Sequence, residues 1–278
     1  MGYISPGPFA RARSTADYAL DVLGLPSDWR ADVGLVLGTG WVDALRIEDK
    51  REIPLRDLIG FDSLKRMDAN PQHPKKLLTG TLHGHRIAVL QGRIHHYESI
   101  EHPGALCGMV RLQTEMLVHM GSPRFRLVVT SAVGSLARGI RVGDLAFPDG
   151  FIDAALPSVR EAEFVEADAA LDAGLRRTAM DAAHGLGFTV HTGPHKVVRQ
   201  LEGRKYDKFH FRRQGAVTIG MSMYPEMEVA AIYGVPALGV GFVSNDDEED
   251  HDGEAFAARA KGSSEKLGAL LSKIIACN

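Results

Sequence analysis

The chain has 278 residues, 45% of them hydrophobic and 24% charged, with a formal net charge of −3 and a pI near 6.5. This is ordinary globular composition, long enough for one large domain. It carries no bulk basicity or Lys/Arg block that would argue for nucleic acid, and no apolar run near the ~18 residues of a membrane span. The N-terminal MGYISPGPFARAR lacks the apolar core of a leader, and Cys107 and Cys277 form neither a disulfide framework nor a zinc spacing. A cytoplasmic location is therefore expected.

Residues 10–24 read as an amphipathic helix stopped by Gly24 and Pro26. Val33–Trp41 is a short apolar run closing on Gly-Thr-Gly, a strand with a tight turn at its end. Residues 50–72 are polar and show no clear period. Residues 76–90 suggest a hairpin turning at His83-Gly84-His85, and 103–121 a helix with Leu106, Val110, Leu112, Met116 and Leu117 near one side. Phe125–Ser135 is another buried strand, and 143–153 a further one. Residues 161–184 read as a helix, acidic early and basic late, which suits the helix dipole. Strands are expected over 188–198, interrupted at Gly193-Pro194, over 214–222 and over 236–245. Tyr224–Gly234 is a helix with Pro225 in its first turn, and 253–276 the last helix. Strands alternating with helices predict an α/β fold with a largely parallel or mixed sheet, and no repeat or linker divides it.

Four apolar runs end in small or polar residues: LVLGTG, AVLQGRIHHYE, LVVTSAVGS and LGVGFVSN. Ligands in open α/β sheets sit outside the carboxyl ends of the strands, so Thr39, Arg93, His95, Ser131, Ala132 and Asn245 are candidates to converge. The Gly-Thr-Gly turn lets backbone N–H groups approach a phosphate, or is simply a strand-to-helix turn. It lacks the third glycine of a dinucleotide fingerprint. Arg93 offers a fork of donors to an oxyanion. His95, two residues on in extended chain, faces the same way, with Tyr97 beyond it. The plain alternative is a surface loop with an ion pair to Glu98 or Glu101. Ser222, between a strand and a helix, caps that helix or donates to an anion there, and Met221 beside it is by default a core residue. His83 and His85 have no further ligand at a metal spacing, and the acidic run 246–250 lacks a calcium-loop pattern and reads as a solvated loop.

Taken in order, GTG, QGRIHHYE, TSAVGSL followed by GDL, GMSMYPE and VSN resemble the trimeric purine nucleoside phosphorylases and their methylthioadenosine phosphorylase relatives, over roughly residues 33–275. The resemblance implies a single α/β domain over 1–278, with a mixed, partly barrel-like central sheet flanked by helices and residues 1–9 a flexible tail. It implies a homotrimer acting in purine salvage by reversible phosphorolysis: nucleoside plus inorganic phosphate gives free base plus pentose 1-phosphate, with no metal or other cofactor. By the same resemblance Thr39, Arg93, His95, His73, Ala132 and Ser222 hold the phosphate. Tyr97, Met221, Glu202, Asn245 and His251 hold the nucleoside, and His95, Asn245 and Glu202 are the catalytic set. Asn245 at the VSN position implies a 6-oxopurine base, whereas an Asp there implies a 6-aminopurine, and Asp246 is the next residue. The family's Gly-Pro-x-Phe-Glu-Thr is replaced by VVRQLEGRKYDKF, in which Glu202 is the one good candidate for the base-binding Glu and needs gaps on both sides. The segment after GDL is also divergent. Two other readings stay open: a phosphorylase for methylthioadenosine or another nucleoside, and a non-catalytic nucleoside- or phosphate-binding homologue. Arg93→Ala is expected to weaken phosphate use while leaving the fold intact.

Overall fold

A computed structural model describes residues 8–66, 74–95, 106–152, 166–198, 205–246, 258–259 and 262–277. Helices are α1 (Pro8–Val22), α2 (Leu106–His119), α3 (Ala173–His184), α4 (Lys205–Arg213), α5 (Tyr224–Ile232) and α6 (Ser264–Ala276). Strands are β1 (Ala31–Leu37), β2 (Glu48–Pro54), β3 (Lys76–Leu82), β4 (His85–Gln91), β5 (Gly121–Ser135), β6 (Leu145–Ile152), β7 (Val190–Val197), β8 (Thr218–Gly220) and β9 (Ala237–Asn245).

One mixed sheet of nine strands runs β2-β3-β4-β1-β5-β8-β7-β6-β9, and β5 also pairs with β9. That extra pairing closes β5, β8, β7, β6 and β9 into a ring, while β1 to β4 continue from β5 as an open flap. The partly barrel-like sheet expected from the family resemblance is thus observed. The 15-residue strand β5 makes it possible. Arg126–Val129 pair with β1, Leu127–Gly134 with β9, and Gly134 and Ser135 with β8. Its run from Leu127 to Ser135 is buried throughout, as a strand covered on both faces requires.

β1 lies between β4 and β5 and is parallel to both, so three carboxyl ends open on the same side. On one face α1 presents Ala12, Ala16, Ala19 and Leu20, a helical stripe continued by Leu23 just past its end, to the core that also holds Met109, Leu112, Met116 and Leu117 of α2. On the other face α3 and α6 bury Leu175, Ala179, Ala183, Leu267, Leu270 and Ile274.

Several boundaries differ from those read in the sequence. α3 begins at Ala173, capped by the Asp172 side chain accepting from the Leu175 N–H at 2.8 Å, and residues 167–170 form a short 3-10 turn. The charge gradient over 161–184 concealed that cap. The strand expected over 214–222 is confined to Thr218–Gly220, because the residues before it close α4 by Gln214 and Gly215 N–H bonds to Phe211 and Arg212 carbonyls. β2 emerges from the polar stretch with no clear period: as an edge strand it buries only Ile53 fully and shows little apolar pattern. α4 was not anticipated. β7 runs through Gly193-Pro194 rather than breaking there, with Gly193 at φ +145°. α1 starts at Pro8, two residues before the start read in the sequence; residues 1–7 lie outside the described residues. The hairpin turn is as predicted, with His83 and Gly84 both at positive φ.

Candidate active site

The carboxyl ends of β1, β4 and β5 and the β8–α5 turn meet at one place. Gly92 donates to the Leu37 carbonyl at 3.0 Å, which ties the end of β4 to the end of β1. Arg93 follows. Its side chain is 1% exposed. Nη1 donates to Glu226 Oε1 at 2.8 Å and Nη2 to the Thr130 carbonyl. Burial pulls the Arg93 pKa down and the Glu226 carboxylate opposes that shift; an arginine stays charged under such pressure. Neither Arg93 Nε nor Glu226 Oε2 has a hydrogen-bond partner among the described residues.

Ile94 is clamped from α2: Gln113 Oε1 accepts its N–H at 2.9 Å and Gln113 Nε2 donates to its carbonyl at 3.0 Å. A single buried amide thus fixes the peptide between Arg93 and His95, and His95 is itself buried. On β5, Ser131 Oγ and Ser222 Oγ are 2.8 Å apart, and Ser131 also donates to the Ala132 carbonyl. Thr130 Oγ1 donates to the Val36 carbonyl and accepts from Gly38 N–H. The buried Trp41 indole donates to the Ser131 carbonyl. Gly38 has to be glycine. A Cβ there would stand 2.7 Å from the Thr130 carbonyl oxygen, 3.0 Å from Arg93 Nη2 and 3.1 Å from Ser131 Cα. Thr39 follows in the turn, half-buried.

Ser222 is followed by Met223, a fully buried residue at φ +76° and ψ −49°. A non-glycine side chain held there costs of order 1–3 kcal/mol and persists only where surrounding packing over-determines it. The strain turns the chain from β8 into α5 so that Ser222 faces Ser131 and Glu226 faces Arg93. Ser222 does not cap the helix: the cap position is Met223, with no side-chain bond.

A second group lies at the ends of β7, β8 and β9. Asn245 closes β9, buried, in register with Gly134. A Cβ on Gly134 would lie 3.2 Å from both amide heteroatoms of Asn245, so the glycine lets that amide lie against the strand. Asp246 is outside the strand and half-exposed, and its carbonyl accepts from Lys208 Nζ at 3.4 Å. Met221 packs with Leu136, Val198, Ile219 and Phe211, and Lys196, a buried lysine, lies over the Phe211 ring at 5.2 Å.

On the opposite face of β7, His195 is fully buried, with Nδ1 2.9 Å from Thr218 Oγ1 and Nε2 unpartnered among the described residues. Burial pushes its pKa down to about 3, so this imidazole is neutral at ordinary pH.

Arg93, Ser222, Ser131 and the Thr39 turn are thus gathered at one end of the sheet, with His95 and Ala132 on the same strand ends. Met221 and Asn245 stand at the adjoining end. His73, Tyr97, Glu202 and His251 lie outside the described residues. One expectation changes: Arg93 is part of the packed interior, so Arg93→Ala leaves Glu226 buried without its counter-ion and is expected to cost stability as well as phosphate use. Sequence reading marked Gly38 as part of the Gly-Thr-Gly turn but gave no role to Glu226 or Gln113. The Glu after Pro225 reads as a first-turn helix charge, and Gln113 as one polar residue on an apolar helix; nothing local shows what either reaches.

The fold is α/β, with polar residues gathered at its strand ends. The chain belongs to the phosphorylase superfamily, whose sequence model matches residues 32–276. Among its relatives is a purine nucleoside phosphorylase of Mycobacterium tuberculosis, 29% identical over 288 residues, covering 98% of this chain and 97% of that one. Purine nucleoside phosphorylase 1 of Geobacillus stearothermophilus is 29% identical over 226 residues, 77% of each chain. A Schistosoma purine nucleoside phosphorylase solved in complex with hypoxanthine superposes with a TM-score of 0.81 at 24% identity over 96% of both chains. At that identity the likeness speaks for the fold. No helix among the described residues is long and apolar enough to cross a membrane, and those residues hold no cluster of His, Cys, Asp and Glu suited to a metal ion.

Proposed function

We propose that this chain is a pentosyltransferase that carries out reversible phosphorolysis of purine nucleosides, giving free base and pentose 1-phosphate. The observation that carries the reading is the buried Arg93 guanidinium beside the Ser131–Ser222 hydroxyl pair at the carboxyl ends of three parallel strands, in a chain whose full-length relatives are purine nucleoside phosphorylases.

Inorganic phosphate is the co-substrate, held by Arg93, His95, Ser222, Thr39 and the Ala132 backbone, with His73 a further ligand. As the glycosidic bond breaks, positive charge develops on the pentose, and an anion fixed beside it stabilises that charge. The nucleophile and the leaving base carry the reaction, so no other cofactor is required. Tyr97, Met221 and His251 hold the nucleoside. Glu202 and Asn245 hydrogen-bond the base, whose electron density rises as it leaves. Asn245 supports a 6-oxopurine, inosine or guanosine, since an amide donates to an oxo group where a carboxylate would accept from an amino group. Its place as the last strand residue, with Asp246 turned out of the strand, favours Asn245 over Asp246 as the reader. The assembly proposed is a homotrimer in the cytoplasm.

The test is release of free base from inosine, guanosine, adenosine, methylthioadenosine and pyrimidine nucleosides with and without phosphate. Phosphate-dependent release from inosine or guanosine is the expected result. Release only from another nucleoside overturns the base assignment, and phosphate-independent release or none overturns the reaction.

A further inference from the structure

Arg93 and Glu226 meet end-on. One Nη1 N–H reaches Oε1 at 2.8 Å, while Nε and Oε2 are both buried without a hydrogen-bond partner among the described residues. A bridge whose sole purpose is structural is expected to satisfy such atoms, because an orphaned polar atom at full burial is costly. This pair keeps a spare donor and a spare acceptor instead. Its place matters as much as its geometry. Glu226 sits in the first turn of α5, four residues after Ser222. The Gly38 position where a Cβ would stand is 3.0 Å from Arg93 Nη2 and 3.1 Å from Ser131 Cα, so the guanidinium runs beside the serine that pairs with Ser222. An oxyanion held there approaches a guanidinium that already carries an anion.

We propose that Glu226 is a positioning residue acting through Arg93 as its resident counter-ion: it fixes and neutralises the guanidinium in the empty site and weakens the hold on inorganic phosphate and on the pentose phosphate ester made from it. The inference rests on the phosphate reading of Arg93 given above. A like charge one residue away from a bound anion raises the cost of that anion. A reaction that runs in both directions has to release an anion at each end, and a built-in counter-ion keeps either from being trapped.

The test is calorimetric titration of inorganic phosphate into the full chain and its E226Q and E226D variants. Gln keeps an acceptor for Nη1 and removes the charge; Asp keeps the charge but draws it back from the guanidinium. The Kd for phosphate is expected to fall by about tenfold in E226Q and by a smaller factor in E226D, with the nucleoside KM unchanged. Phosphate is also expected to raise the melting temperature of E226Q more than that of the unaltered chain, because there it is the sole counter-ion. An E226Q protein that folds only with phosphate present supports the role, and E226D then supplies the binding constant. Phosphate binding that is unchanged or weaker in both variants overturns it. If the unaltered chain fails to bind phosphate, the functional reading itself falls; if it binds and the variants match it, only the counter-ion role falls.

Discussion

At the Arg93 end of the site, Arg93, Thr130, Ser131 and Ser222 all have partners on neighbouring strands, the β8–α5 turn or α5. At the Asn245 end, the side-chain amide is buried against Gly134. The first region is organised before any ligand arrives. Its charges are paired inside the protein, so its chemistry and its stability cannot be separated. In the second an amide packs against a glycine at the close of β9 with no charge of its own, so a change there is expected to alter the reading of a ligand with little effect on the fold. A chemical step benefits from the first design, since preorganised dipoles cost no reorganisation at the moment of reaction. A choice among bases needs only the second.

The largest effect expected is from Arg93→Ala. Phosphate-dependent base release should fall by about 10²–10³-fold, and urea unfolding should show a loss of about 3–5 kcal/mol from the stranded Glu226. Full stability in that variant would break the comparison, and unchanged phosphate dependence would remove Arg93 from the site. Gly38→Ala comes next. The added methyl meets a backbone carbonyl at 2.7 Å, which backbone shifts relieve at about 1–3 kcal/mol, and the phosphate KM should rise while the nucleoside KM holds.

Acid sensitivity sharpens the same point. His195 is neutral in the fold, with a pKa near 3 against an ordinary value of 6.5. The unfolded chain takes up that proton below pH 6.5 and the folded chain does not. The contribution is therefore complete above pH 6.5 and is lost as pH falls toward 3, by about 1.4 kcal/mol per pH unit. His195→Gln should flatten that slope in melting curves recorded across the window; an unaltered slope would mean that another group governs acid unfolding.

Effects at the Asn245 end should be smaller and should fall on specificity. Asn245→Asp is expected to shift the ratio of kcat/KM for inosine to that for adenosine by about tenfold toward adenosine, with stability little changed. A constant ratio would mean that another residue reads the base. Gly134→Ala presses on the Asn245 amide at 3.2 Å, a side chain able to swing aside, so the nucleoside KM should rise modestly and the phosphate KM should not.

Much of this was legible in the chain. Apolar runs closing on Gly-Thr-Gly, Gln-Gly-Arg and Thr-Ser-Ala marked β1, β4 and β5 and the ends that carry polar groups, because a buried strand is uniformly apolar and its exit is not. The hairpin at His83-Gly84 and the helix after Pro225 were read from turn and cap residues that act within a few positions. β2 and α4 were not legible. An edge strand needs little apolar patterning, and α4 is so rich in charge that its buried side, Lys208 with the partly buried Phe211, hides in the sequence.

What the sequence determined by itself is the class of fold and the residue types gathered at its strand ends, since alternation of strand and helix and the chemistry of Arg, His and Ser are local properties. What only the tertiary structure decided is their state. That Arg93 is buried and answered by Glu226, 133 positions away, that Gln113 grips Ile94, and that β5 closes on β9 to form a ring all depend on contacts between distant segments. Pairing distances and desolvation set the energy of a buried charge, and neither exists until the chain has folded.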